Sequence, residues 1–340
     1  MPPTLTRRTL MRHTLSLAAA GGLAPALGAC VTDDLAGGTP LRQSALDVMP
    51  VLLVATTRKA VGDPPRAPYF SAERGRGLSF AEVRLSPPDR SLIGKVSSVI
   101  NGDWTVGAVP KVETGAGAAD AFAAAALGRD VLIYVHGYRE TFESAAVSAA
   151  RLSDGIRFRG VSGLFTWPSA AATLDYGYDR ESALWSRDAF EDLLKALVAS
   201  PSGGRVNVVA HSMGTLLTLE TLRMLRAEAG EAATGKIGAV VLAAPDIDFD
   251  LFSNSVARLG PDVSKITVIS STNDRALGLS AALAGGTRAG AADRARLEAL
   301  GVRVADASDY GGGLINHDLF LSNPDVQGVV KRAIARGAGV

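Results

Sequence analysis

Cysteine occurs once in 340 residues, at Cys30, so no disulfide can close within the chain. Net charge is nearly absent as well. The 35 Lys and Arg against 34 Asp and Glu leave +1 with His neutral. A balance of that kind provides no basic footprint, so a nucleic-acid partner is not expected. There is no His-Glu-x-x-His and no pair of histidines at helical spacing, which argues against a metal site. Neither Gly-x-Gly-x-x-Gly nor a Walker-type loop is present, and no cofactor is expected. What remains is 47% hydrophobic and 20% charged, the balance of a globular protein.

The first thirty residues differ from the rest. Arg7, Arg8 and Arg12 precede a neutral stretch over residues 15–29, and no acidic residue occurs before Asp33. A charged head followed by an apolar run is the layout of an export signal. The run is too short and too broken by Gly and Pro to stay in a bilayer as a helix. Thr6-Arg7-Arg8-Thr9-Leu10-Met11-Arg12 resembles a twin-arginine signal. Leu27-Gly28-Ala29-Cys30 resembles a bacterial lipobox, with Cys30 lipidated as the mature N-terminus. Residues 1–29 are therefore expected to be an export signal and residues 30–49 a polar tether. The mature protein is expected in the cell envelope, held to a membrane through Cys30 and facing the periplasm. Val31 after Cys30 points to the outer membrane if the cell is Gram-negative.

From residue 50 to residue 335 one domain is expected. Short β-rich runs at 51–56, 78–85, 131–135, 161–167, 206–209, 237–243, 266–270 and 302–305 alternate with helical patterns at 143–154, 180–198, 214–229 and 250–259. Continuous apolar runs such as Val-Leu-Ile-Tyr-Val suit strands covered on both faces. The fold class is therefore α/β, with a mostly parallel central sheet and helices on both faces. Ligands of such sheets gather beyond the carboxyl ends of the strands. Residues 115–128 and 284–295, rich in Ala and Gly, are connections that a lid would also suit.

Three loops after three strands carry the residue types of acyl transfer. In VVAHSMGTLL, Ser212 sits between an apolar strand and an apolar helical pattern, with small Ala210 and Gly214 two residues away on either side. That is the layout of a nucleophile elbow, in which a sharp turn lifts a hydroxyl clear of the sheet. A helix N-cap is the plainer reading of the same serine. A serine hydroxyl needs a base, and of four histidines His13 lies in the signal, His136 lies in a loop after a strand, and His211 adjoins Ser212 and is expected to point away from it. His317, after the last candidate strand, is left as the base. The acid lies between Ser212 and His317. Strand order selects Asp274, with Asp246 as the alternative. Backbone amides of Met213, just after the nucleophile, and of Tyr138, in Val135-His136-Gly137-Tyr138-Arg139, would hold the oxyanion.

These stretches, with VLLVATTRK, LFTWPSAA, YGYDRESALWSRDAFEDLL, VLAAPDIDFDLF, ITVISSTNDRALGLS and NHDLFLSNPDV, are similar to the bacterial α/β-hydrolase family called domain of unknown function 900. The likeness covers most of residues 51–330 and departs at Arg139, where the family has Asn. It implies an α/β-hydrolase fold with Ser212, Asp274 and His317 as a triad. Trp167-Pro168-Ser169 and Tyr178-Asp179-Arg180 are expected to shape the active-site rim, with no further role readable from the sequence. The expected activity is hydrolysis of a small-molecule carboxylic ester through an acyl-enzyme. An amidase, thioesterase or peptidase with the same triad is the alternative, as is a non-catalytic lipoprotein that keeps the fold as a scaffold.

Overall fold

The computed structural model describes residues 50–62, 66–88, 103–200, 204–310 and 317–338. The expected export signal, Cys30 and the tether lie outside the described residues.

Among the described residues, nine strands form one sheet. They are β1 Val51–Ala60, β2 Phe70–Ser86, β3 Thr105–Thr114, β4 Val131–Val135, β5 Val161–Thr166, β6 Val206–His211, β7 Ile237–Ala243, β8 Ile266–Ser270 and β9 Arg303–Asp306. Their order across the sheet is β3-β2-β1-β5-β4-β6-β7-β8-β9. The β1–β2 and β2–β3 pairs are antiparallel. Every pair from β1–β5 to β8–β9 is parallel. The expected mostly parallel sheet is present, with an antiparallel hairpin extending one edge.

The apolar runs are continuous because both faces are covered. In β4, Val131, Ile133 and Val135 join the core on one face with Phe122, Phe190, Leu216 and Phe252. Leu132 and Tyr134 point into the other, with Phe142, Ala145, Val326 and Val330. Each large side chain buried in this way stabilises the fold by about 1.5–3 kcal/mol. The first face carries α1 Ala118–Ala125, α4 Arg187–Ala199, α5 Gly214–Thr234 and α6 Phe249–Ala257; the second carries α2 Phe142–Gly155 and α10 Pro324–Gly337. Between them in sequence run α3 Tyr176–Trp185, α7 Arg275–Ala284, α8 Arg294–Glu298 and α9 Leu319–Ser322.

Several elements depart from the sequence expectation. β3 was not expected, because Gly107 and Pro110 interrupt its pattern. It lies at the sheet edge, where a missing amide donor is tolerated. The single helix expected over 180–198 is two, α3 and α4, meeting at Ser186. The 115–128 segment contains α1, whose Ala118, Ala119, Phe122 and Ala123 are buried. In 284–295, Arg288 and Ala289 are buried and Gly290 packs against the backbone of Ala244 and Pro245. Both segments are thus packed into the domain rather than lid-like. No helix among the described residues is long and apolar enough to cross a membrane.

Candidate active site

Ser212 stands between β6 and α5 with φ of 51°, in the left-handed region that a β-substituted residue enters only when the fold holds it there. Its amide donates to Ala243 O at 2.9 Å, and its carbonyl accepts from Thr215 N at 3.0 Å and Thr215 Oγ1 at 2.6 Å. The turn is tight enough that a Cβ on Gly214 would stand 2.3 Å from the His136 carbonyl oxygen. A Cβ on Gly137 would stand 2.9 Å from Ser212 Cβ and 3.0 Å from His211 Nδ1. The loop after β4 therefore lies directly against the elbow. Only glycine fits at 137 and 214.

Asp274 is the N-cap of α7, where its Oδ1 accepts from Ala276 N at 2.9 Å and Leu277 N at 3.1 Å. Its Oδ2 takes the Nδ1–H of His317 at 2.7 Å. One carboxylate thus caps a helix and orients an imidazole, leaving Nε2 as the free nitrogen. Burial favours neutral Asp274, but the His317 hydrogen bond and charge outweigh it and lower its pKa. Burial also disfavours imidazolium at His317, yet Asp274 outweighs that too and raises its pKa above the ordinary imidazole value. Ser212 Oγ makes no hydrogen bond among the described residues, to His317 or elsewhere.

The alternative acid, Asp246, is engaged elsewhere. Its Oδ2 accepts from Tyr176 OH at 3.0 Å, Ser280 Oγ donates to its Oδ1, and Arg288 Nε lies 3.4 Å away with both side chains buried. Asp248, not Asp246, caps α6. His211 was expected to point away from the site. Instead its ring packs 4.6 Å from the His317 ring and 4.9 Å from Phe320, and its Nε2–H reaches His317 O at 3.1 Å. His211 Nδ1 is buried without a partner, and burial lowers the pKa so that this ring stays neutral. Nothing in the order Ala-His-Ser reveals that contact, since residue 317 is 106 positions away.

The Met213 and Tyr138 amides donate no hydrogen bond to any described residue. The Tyr138 side chain turns outward, its hydroxyl reaching Ala172 O at 2.9 Å and Thr173 O at 2.7 Å. His136 is fully buried, stacked on Trp167 at 4.6 Å, and held neutral by burial and by the nearby Arg58 charge. Arg58 and Asp179, both buried beside this loop, carried no signal in the sequence beyond lying in the family-like stretches. Among the described residues no group of three or more His, Cys, Asp or Glu is placed to hold a metal ion. A cavity of about 790 Å³ lies apart from these residues, lined by Leu78, Asp120, Trp185 and Lys195 among others.

A sheet of this topology, with a strained serine at one strand end and a buried acid bonded to a half-buried imidazole at the ends of later segments, defines an α/β-hydrolase. The family model described as alpha/beta hydrolase of unknown function (DUF900) matches residues 120–336, well over half of the chain, and the protein belongs to that family. Among solved structures, it resembles a cutinase-like protein from Cryptococcus sp. at 17% identity, with a TM-score of 0.36 over 62% of this chain and 95% of that one. It also resembles fungal esterases from Rhizomucor miehei (14%, TM-score 0.34, 88% of each chain). The catalytic core of acetyl xylan esterase from Trichoderma reesei is similar at 11%, TM-score 0.35, over 62% and 97%. The curated proteins contain no match to this chain.

Proposed function

We propose that the protein is a serine hydrolase of carboxylic esters. The observation that supports this reading is the 2.7 Å His317–Asp274 hydrogen bond, in a chain whose Ser212 holds a φ of 51° between β6 and α5. Ser212 Oγ attacks the ester carbonyl carbon while His317 Nε2 takes its proton. The resulting oxyanion receives the amides of Tyr138 and Met213. Collapse breaks the bond to the alcohol oxygen, which leaves with the proton from Nε2. Water then gives its proton to Nε2, attacks the acyl-serine and frees the acid, and Ser212 regains its hydrogen. Asp274 keeps the imidazole in one tautomer and stabilises its positive charge without taking the proton.

A fluorophosphonate probe is expected to label Ser212 in the native protein, seen as a mass increase on its peptide. Ser212→Ala is expected to lose both labelling and turnover of p-nitrophenyl acetate. Turnover that survives this substitution would sink the assignment. The reading includes a cell-envelope address, supported by the Arg7-Arg8 run and by Leu27–Cys30 as sequence alone.

A further inference from the structure

The turn that bears Tyr138 is pinned on both sides and left free in the middle. His136 O accepts from Trp167 Nε1 at 3.2 Å, and the His136 ring donates from Nδ1 to Gly137 O at 2.8 Å. On the far side, the Arg139 amide donates to Asp179 Oδ2 at 3.2 Å, and Glu140 O accepts from Arg58 Nη2 at 2.6 Å. The Tyr138 amide between them has no partner among the described residues. Arg139 holds a φ of 64°, which an L side chain keeps only under constraint.

Asp179 supplies that constraint. It is fully buried and collects three donors: the Arg139 amide, the Ala170 amide at 2.7 Å and Ser169 Oγ. Behind it the buried Arg58 guanidinium meets Ser169 O at 3.3 Å and Thr166 Oγ1 at 2.9 Å, with no carboxylate in ion-pair range among the described residues. Burial pulls Arg58 down to about 10 and raises the Asp179 carboxyl. A buried carboxylate and a buried guanidinium are expensive to keep unless the hydrogen bonds they make are needed. The two stretches expected at the active-site rim, Trp167-Pro168-Ser169 and Tyr178-Asp179-Arg180, both end on this loop.

We propose that Asp179, backed by Arg58 and Trp167, is a positioning residue that aims the Tyr138 amide at the developing oxyanion; this rests on the acyl-transfer reading above. The test uses the full chain with Asp179→Ala, Asp179→Asn and Trp167→Phe. Loss of an aimed oxyanion donor costs about 10²–10³ in rate, so loosening one is expected to slow fluorophosphonate labelling of Ser212 by about tenfold or more. The loss should fall on kcat for p-nitrophenyl acetate and leave KM nearly unchanged. Asn, which keeps one acceptor oxygen, should recover part of it. Amide hydrogen exchange at Arg139 should quicken in Asp179→Ala. If that variant does not fold, Trp167→Phe, which removes only the donor to His136 O, is read in the same way. A folded variant that labels at the native rate, or loses only KM, overturns the proposal. A native protein that does not label overturns the Ser212 reading instead, and unchanged exchange at Arg139 then overturns the brace by itself.

Discussion

Asp274 serves two partners with its two oxygens, and the pH behaviour of the site follows from that. His317 must be neutral to take a proton, and its pKa is raised by Asp274 against the opposing effect of burial. The acid limb of kcat/KM is therefore expected to have its midpoint above the ordinary imidazole value of about 6.5. Asp274→Asn should move that midpoint down and cut kcat by about 10³–10⁴. A profile measured on both proteins checks the pair, and an unshifted midpoint would remove it. The same pair contributes to stability in a defined window. Asp274, lowered on folding, contributes above its unfolded value and ceases to do so as pH falls through its folded value. His317, raised on folding, contributes fully below its unfolded value and ceases to do so as pH rises through its folded value. Ser212, Gly214 and His317 stand out as candidates from residue type and chain order, and the structure adds the bond between His317 and Asp274. His211 was misjudged because a ring's direction depends on what packs beside it, and here that is His317 and Phe320.

At the scale of elements, α7 hangs between two buried acids. Its N-cap is Asp274, and its Ser280 reaches Asp246, which also meets Tyr176 of α3 and Arg288. Removing Asp246 leaves Arg288 buried without a carboxylate. Asp246→Ala is therefore expected to lower stability by about 3–5 kcal/mol in denaturant titration. Asp246→Leu with Arg288→Met should cost less than Asp246→Ala, since no charge is stranded; equal losses would show that the pair is not coupled. Strands β4, β7 and β8 were read to the residue because burial on both faces writes a continuous apolar run. β3 was not, since an edge strand carries no such run and tolerates Pro110. The α3–α4 break was hidden because Ser186 continues the helical pattern while its hydroxyl turns to Thr57 Oγ1 at 2.8 Å.

For the whole molecule, the described domain carries both the core and the Asp274–His317 pair. Among the described residues, the core on both faces of the sheet draws on residues from Leu52 onward. On the proposed envelope reading, Cys30→Ser is expected to move the protein from the membrane to the soluble fraction while leaving Tm and Ser212 labelling as they were. Fractionation with intact-mass measurement reads this, and an unmoved variant would remove the lipid anchor. Alternating apolar runs and helical periodicity determined the α/β class, and small residues around Ser212 determined the elbow, because both are local patterns. Strand order pointed to Asp274 over Asp246, but only tertiary structure showed that His317 meets Asp274, that Asp246 meets Arg288 and that Asp179 reaches the Tyr138 loop. Those contacts join residues tens of positions apart, and only the packing of one sheet brings them within a hydrogen bond.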